Sequence, residues 1–100
     1  MTQKVIGVIG GLSWESSAEY YRILNEAVRA RLGGLASARV LMWSFDFAEI
    51  EALQASGRWD EATSLMIDAA RRLERGGADF VLIASNTMHR MADDVQAAIG

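Results

Sequence analysis

The sequence predicts an α/β fold, a three-layer arrangement in which helices cover both faces of a parallel sheet. Three observations support it: short continuous apolar runs, apolar residues at helical spacing between the runs, and glycine pairs where segments end. Strands buried on both faces have continuous rather than alternating apolar character. The resulting order βαβαβα requires parallel pairing and right-handed crossovers. We therefore expect a Rossmann-like three-stranded sheet.

The first half of the chain supplies a strand, a helix and a second strand. Residues 5–9 form an apolar run that ends at Gly10-Gly11, as expected for a buried strand. Ser13 offers an N-cap for the helix that follows. Gly33-Gly34 stops this helix, and residues 38–45 form the next strand. The apolar residues of the helix recur at helical spacing: Tyr21, Leu24, Ala27, Val28 and Leu32.

The second half repeats this alternation. Residues 46–54 suit a short helix, with a break at Ser56-Gly57, and a longer helix then ends at Gly76-Gly77. Residues 80–84 read as a third buried strand, and residues 85–87 open a last helix. The apolar positions of the longer helix are Ala62, Leu65, Met66, Ala69 and Leu73. Those of the last helix are Met88, Met91, Ala92, Val95 and Ile99.

Composition narrows the class of protein. One hundred residues, 51% hydrophobic and 23% charged, suit one soluble globular domain. A net charge of −3 gives no basic field for nucleic acid or an anionic membrane. No apolar run approaches the roughly 18–20 residues of a membrane span. The N-terminus leads directly into the first strand, so we expect no signal peptide and a cytoplasmic location.

The sequence lacks residues and motifs that metal binding and nucleotide binding require. Cysteine is absent and His89 is the single histidine, so we expect no metal site. Residues 7–11 do not complete the dinucleotide pattern GxGxxG, and no phosphate-loop motif GxxxxGK[ST] occurs. Nucleotide binding is therefore not expected.

The chemistry should lie at the carboxyl ends of the strands, where parallel α/β sheets bind their ligands. These ends are residues 10–13, residues 44–47 and residues 85–87. Two of them open a helix with small polar residues and free backbone N–H groups, which favour a carboxylate or phosphate. The sequence predicts a small anionic ligand without naming it.

Each candidate residue also has a purely structural interpretation. Gly11 either completes a tight turn or lets a ligand approach the backbone. Residues 85–87 either cap the last helix or bind the ligand, and His89 suits a helix surface as well as a site. Asp46 could cap a helix or orient a ligand amine, and Gln54 could be solvated. Core or domain-interface packing is expected for the aromatic residues Trp43, Phe45, Phe47 and Trp59.

Four blocks of the sequence, in order, resemble the aspartate/glutamate racemase family. The first comprises Gly10-Gly11-Leu12-Ser13-Trp14-Glu15-Ser16-Ser17 and Tyr20-Tyr21-Arg22. The second is Arg31-Leu32-Gly33-Gly34, and the third comprises residues 44–50 with Gly57-Arg58-Trp59. The fourth, Ser85-Asn86-Thr87-Met88-His89-Arg90-Met91-Ala92-Asp93, is similar to the family's CNT-type or TNTMH-type signature. Together they span nearly the whole chain.

The resemblance implies two similar α/β halves that face each other across a cleft. Residues 1–100 would be the N-terminal half-domain, and the second half is absent from this chain. Members of the family invert the α-carbon of aspartate or glutamate without pyridoxal phosphate or metal, so no cofactor is expected. A thiolate from one half removes the α-proton, and a thiol from the other half returns a proton to the opposite face.

The resemblance also assigns site residues. Ser85 falls on the position of the first thiol, and Asn86 and Thr87 fall on the pair that binds a substrate carboxylate. Leu12 and Gln54 match substrate contacts. Gly11 and His89 are further candidates, for residues that lie next to the substrate-contacting ones. Ser85 departs from the family's cysteine, and a hydroxyl is a much weaker acid than a thiol. Ser85 would therefore relay or deliver a proton rather than act as an unaided base.

Two other hypotheses remain open. The chain could belong to a non-catalytic module that binds small carboxylates, which a missing cysteine in the second half would indicate. It could instead be a half-domain that pairs with a copy of itself, as a two-fold dimer with Ser85 facing Ser85. The expected partners are thus an acidic amino acid and either a second copy of the chain or the missing half.

Overall fold

The computed structural model describes residues 3–84, which fold into alternating strands and helices. The elements are β1 (Val5–Gly10), α1 (Trp14–Leu32), β2 (Arg39–Ser44), α2 (Phe47–Ala55), α3 (Trp59–Arg75) and β3 (Phe80–Ile83). The predicted helix from residue 85 onward lies outside the described residues. None of the helices within residues 3–84 has the length and apolar character needed to cross a membrane.

The three strands form one parallel sheet with β1 in the centre, in the order β2-β1-β3. The register pairs Ile9 with Trp43 on one side and with Ile83 on the other. The chain thus moves from β1 to β2 and then returns past β1 to β3. Right-handed crossovers with this order place α1 on one face of the sheet and α2 with α3 on the other. The predicted three-layer parallel α/β fold is confirmed.

The hydrophobic core lies between the sheet and α3. Ile9 of β1 and Ile50 of α2 are fully buried, and both pack against one side of α3. That side carries the residues Ala62, Met66, Ala69, Ala70 and Leu73. Three of the five are alanines, which let the helix approach the strands closely. Burial of each large side chain here contributes about 1.5–3 kcal/mol.

The opposite face of the sheet is only partly covered, which corrects two expectations. Of the residues of α1, only Ser17 is buried, while Tyr21 and Leu32 in the predicted apolar stripe are exposed. In β3, Phe80 and Leu82 are also exposed, so this strand is not buried on both faces. The cause is geometric: alternate residues of β3 point to the α1 face, and α1 packs mainly over β1.

Hydrogen bonds hold the strand ends together at both edges of the sheet. At the amino edge, the Val5 amide donates to the Asp79 carboxylate at 2.7 Å, and the Asp79 amide donates to the Val5 carbonyl at 2.8 Å. At the carboxyl edge, the Phe45 amide donates to the Gly10 carbonyl at 2.9 Å. The Ala84 amide donates to the Ile9 carbonyl, also at 2.9 Å. All three strands therefore end side by side.

Candidate active site

The loop between β1 and α1 folds tightly against the loop after β2. Gly11 has a φ of +81°, in the left-handed region that favours glycine. A Cβ atom on Gly11 would lie 2.2 Å from the Phe45 carbonyl oxygen and 2.3 Å from the Phe45 nitrogen. The close approach that Gly11 permits is therefore made by the protein's own backbone. Of the two interpretations of Gly11, the structure supports the tight turn.

Leu12 has its side chain in the core, so its backbone is the part that lies at the carboxyl edge of the sheet. The side chain is only 7% exposed and belongs to the core cluster that includes Ile9 and Ile50. The substrate contact by Leu12 stays a prediction, and the burial of the side chain makes the backbone amide the better candidate for that contact. Within residues 3–84, no group accepts a hydrogen bond from the amide of Leu12 or of Ser13. These two amides remain available at the carboxyl edge.

The N-terminus of α1 lies at the same edge. Ser13 occupies the N-cap position, as predicted, but its side chain makes no capping hydrogen bond. The first amides of a helix have no acceptor within the helix and carry a partial positive charge. Together with the Leu12 and Ser13 amides, they give this edge a set of donors suited to an anion.

The second loop, after β2, is used mainly for structure. The Asp46 carboxylate accepts a hydrogen bond from the Ala48 amide at 3.0 Å and so caps α2. This contact supports the capping interpretation of Asp46. Gln54 lies seven positions after the first residue of α2, about 10 Å farther along the helix axis. Its role as a substrate contact stays a prediction.

The aromatic residues near this edge belong largely to the core. The rings of Trp43 and Phe45 meet edge to face, with centroids 6.3 Å apart. The Arg72 guanidinium lies over the Trp43 ring at 4.9 Å from its centroid. Trp43, Phe45 and Trp59 pack against the core cluster, as expected, whereas Phe47 is 42% exposed.

The remaining predicted site residues, Ser85, Asn86, Thr87 and His89, lie outside the described residues. The described chain ends at Ala84, which is buried and bonded to the Ile9 carbonyl. Ser85 is the next residue in the sequence. The described part of the chain therefore ends at the same edge as the Leu12 and Ser13 amides, which have no acceptor among the described residues.

Sequence reasoning gave no role to Ser17, although it belongs to the first block of the resemblance. Its hydroxyl oxygen accepts a hydrogen bond from the Gly11 amide at 2.8 Å, and the residue is 4% exposed. The available signal was a small polar residue one helical turn after the N-cap, on the side facing the sheet. A polar side chain buried in this position is expected to form a hydrogen bond, and a nearby backbone group is the available partner.

Two further features of residues 3–84 bear on the kind of site. No three His, Asp or Glu side chains in this part of the chain come together in a way that could hold a metal ion. A mainly apolar groove of about 390 Å³ runs between α1 and β2. Its walls include Trp14, Tyr21 and Met42, side chains that do not suit an acidic ligand.

The sequence and the fold of this chain are similar to those of a known protein family. The family model for Asp/Glu/hydantoin racemases matches residues 9–100, and the chain belongs to this family. It is similar to a protein from Yersinia pestis proposed to be an Asp/Glu racemase, with 50% identity and a TM-score of 0.95. It is also similar to an aspartate racemase homologue from Pyrococcus horikoshii OT3, with 34% identity and a TM-score of 0.88.

The chain spans less than half the length of these two relatives. The match covers 98% of this chain in both cases, but 43% of the Yersinia pestis chain and 42% of the Pyrococcus horikoshii chain. The resemblance to aspartate/glutamate racemases is confirmed, and the three-layer sheet corresponds to part of a larger racemase fold.

Proposed function

We propose that this chain is the N-terminal half of a cofactor-independent racemase that inverts the α-carbon of aspartate or glutamate. The observation that carries the proposal is the group of amides at Leu12, Ser13 and the start of α1 that have no acceptor within residues 3–84. In a member of the Asp/Glu/hydantoin racemase family, such donors suit a substrate carboxylate. The greater length of the two structural relatives supports a second half on the other side of the cleft.

The proposed reaction removes the α-proton from one face of the substrate and returns a proton to the other. Donors around the α-carboxylate stabilise the negative charge that develops as the α-proton leaves. On this chain, the amides of Leu12 and Ser13 would supply them, together with Asn86 and Thr87. Gln54 would contact the substrate farther from the reacting carbon, with Gly11 and His89 supporting the site.

By resemblance, Ser85 matches the family's acid/base position on this side of the proposed cleft. Its hydroxyl has a much higher pKa than a thiol, so it is protonated near neutral pH and cannot remove a proton unaided. It can deliver its proton to the strongly basic carbanion, after which the serine oxygen regains a proton from solvent. The base would then be a cysteine thiolate from the second half. This division of roles predicts unequal proton-transfer rates for the two enantiomers.

The nature of the donors favours an acidic amino acid over a hydantoin. A helix N-terminus and free amides stabilise a full negative charge, which each carboxylate of aspartate or glutamate carries. A hydantoin ring has no carboxylate, so it would use these donors less well. We further propose that the protein needs neither pyridoxal phosphate nor metal, acts in the cytoplasm and associates with a second copy.

The experiment uses the proposed full-length form, which joins this chain to the second half and is called the longer protein. It is incubated with pure enantiomers of aspartate, glutamate and a 5-substituted hydantoin, and inversion is followed by chiral chromatography. Each reaction is run with a metal chelator and repeated with added pyridoxal phosphate. We expect inversion of one acidic amino acid that neither addition changes. Preferred inversion of the hydantoin would contradict the substrate assignment. Binding of an acidic amino acid without inversion would identify a non-catalytic carboxylate-binding module instead.

A further inference from the structure

The buried hydroxyl of Ser17 joins both ends of the loop between β1 and α1. It accepts a hydrogen bond from the Gly11 amide at 2.8 Å and makes a longer one, at 3.4 Å, to the Ser13 carbonyl. The Ser17 amide also donates to that carbonyl at 3.2 Å. Ser17 is the one buried polar or charged residue within residues 3–84. Its hydroxyl thus lies where a three-residue loop would otherwise be free to change conformation.

The space for this hydroxyl depends on Gly10. A Cβ atom on Gly10 would lie 2.5 Å from the Ser17 oxygen and 3.1 Å from the Ser17 Cβ. Real Cβ atoms do not approach an oxygen this closely, so a side chain at position 10 would displace the hydroxyl. Gly10 and Ser17 are therefore matched in shape, in addition to the match between Gly11 and the Phe45 backbone.

The amides of the loop differ in whether they have a hydrogen-bond acceptor within the described residues. The Gly11 amide is used within the protein, whereas the Leu12 and Ser13 amides have no acceptor in residues 3–84. Because Gly11 is held from one side by Ser17 and from the other by the Phe45 backbone, the next two peptide groups have little freedom to turn. Donors fixed in advance bind a ligand more tightly than donors that must first be ordered.

We infer that Ser17 is a positioning residue, whose hydroxyl fixes the loop so that the Leu12 and Ser13 amides face a substrate carboxylate. This inference rests on the proposed function and adds to it a residue that does not touch the substrate. Removal of the hydroxyl does not change the Leu12 and Ser13 amides themselves, but it allows them to take other orientations. The loss should therefore appear as weaker carboxylate binding and as local opening of the loop.

The test compares Ser17→Ala with Ser64→Ala in the 100-residue chain. Ser64 is an exposed residue of α3, so it provides the same chemical change away from the loop. The rate of hydrogen exchange of the Gly11 amide, measured by NMR, reports how often the loop opens and breaks the hydrogen bond to Ser17. The exchange rates of the Ala69 and Ala70 amides report the stability of the core. Succinate, a dicarboxylate without an amino group, is the probe for binding through the Leu12 and Ser13 amide shifts.

We expect Ser17→Ala to speed exchange of the Gly11 amide about 10-fold or more, while exchange of the Ala69 and Ala70 amides stays unchanged. Succinate affinity should fall about 10-fold in Ser17→Ala and stay at the parental value in Ser64→Ala. A Ser17→Thr variant, which keeps the hydroxyl, should regain part of the affinity.

Two outcomes overturn the inference. One is equal succinate affinity in Ser17→Ala and Ser64→Ala, or no shift of the Leu12 and Ser13 amides in the parental chain. The other is faster exchange in α3 to the same degree as at Gly11, which would make Ser17 a residue of general stability. Failure of the proposed function is distinct, because it appears as absence of inversion by the longer protein while succinate binding still depends on Ser17.

Discussion

The two adjacent glycines at the end of β1 meet different parts of the protein. Gly10 leaves room for the Ser17 hydroxyl, and Gly11 leaves room for the Phe45 backbone. Gly11 also has a positive φ, so two separate penalties oppose any side chain there. Another glycine, Gly57, has a similar φ of +73°, but a Cβ atom added there would have no neighbouring atom within 4 Å. Comparison of Gly11 with Gly57 therefore separates the cost of the positive φ from the cost of the contact with Phe45.

We predict that Gly11→Ala destabilises the chain much more than Gly57→Ala. Gly57→Ala should cost about 1–2 kcal/mol, the strain of a left-handed backbone at alanine. Gly11→Ala adds a backbone clash with Phe45, which raises the cost by about 1–3 kcal/mol. Urea unfolding of the 100-residue chain measures both values. Equal losses for the two variants would mean that the approach of Phe45 to Gly11 is not essential to the fold.

Thr87 is the residue at which the proposed carboxylate contact is most directly tested. Loss of a hydrogen bond to a charged partner costs about 1.5–3 kcal/mol. Thr87→Val in the longer protein should therefore weaken aspartate or glutamate binding by roughly 10- to 100-fold, at tenfold per ~1.4 kcal/mol. Calorimetric titration measures the affinity, with Thr63→Val in α3 as the control. If both variants keep the parental affinity, Thr87 is a helix cap.

At the scale of the element, α1 carries a charged cluster on its exposed side. Arg22 donates hydrogen bonds to the carboxylates of Glu19 and Glu26, three residues before it and four residues after it. The Arg22 guanidinium, mainly through its side-chain hydrogen bond, lowers the pKa of Glu19 from its ordinary value. A carboxyl whose pKa is lowered on folding stabilises the folded state above its unfolded pKa. That contribution disappears as the pH falls through the folded pKa.

We predict that Arg22→Gln raises the pKa of Glu19 back toward its ordinary value. The physical reason is that glutamine carries no charge and cannot favour the ionised carboxylate to the same degree. NMR titration of the Glu19 side chain measures this pKa, with Arg31→Gln in the last turn of α1 as the control. An unchanged Glu19 pKa in Arg22→Gln would show that the hydrogen bond does not persist in solution.

The elements and their parallel pairing could be predicted because local patterns determine them. The apolar run ending at Gly10-Gly11 indicated β1, and the spacing from Ala62 to Leu73 indicated the buried side of α3. The exposure of Tyr21, Phe80 and Leu82 could not be predicted in the same way. An apolar pattern shows which side of an element is able to pack, but not whether a neighbour is present to cover it.

The same distinction applies to the site. The position of the carboxyl edge followed from the parallel sheet. Capping of a helix was one of the two roles that the sequence left open for Asp46, and the structure shows that Asp46 caps α2. The contact between Gly11 and Phe45 did not follow from the sequence, because residues distant in sequence meet there only after β1 and β2 pair. The burial of the Leu12 side chain likewise depends on the core cluster, to which Ile50 of α2 also belongs. Contacts of this kind require the assembled fold.

At the scale of the whole molecule, the α1 face of the sheet is the open side of the described structure. Phe80 and Leu82 are adjacent on this face of β3, with 44% and 37% of their surfaces exposed. Exposed apolar surface of this kind drives association. The proposed second half, or a second copy of the chain, would cover part of this surface.

We predict that the 100-residue chain forms a dimer or larger species at micromolar concentration. Leu82→Lys should shift it toward the monomer, because a charge is costly to bury in an apolar contact. Leu35→Lys is the matched control, since Leu35 is fully exposed in the turn after α1. Light scattering measures the mass. A sharp monomer peak near 10.9 kDa for the parental chain would contradict the prediction.

The most direct test of the central claim is exchange of the substrate α-proton with solvent. Each enantiomer of aspartate and glutamate is incubated in deuterated water with the longer protein, with the 100-residue chain or without protein, and the α-proton signal is followed by NMR. Because the proposed base is a cysteine thiolate of the second half and Ser85 is a poor unaided base, we predict exchange with the longer protein and none above the no-protein control with the 100-residue chain. Loss of the signal with the 100-residue chain would make Ser85 a competent base without a second half. No loss with the longer protein would contradict the assignment of racemase activity.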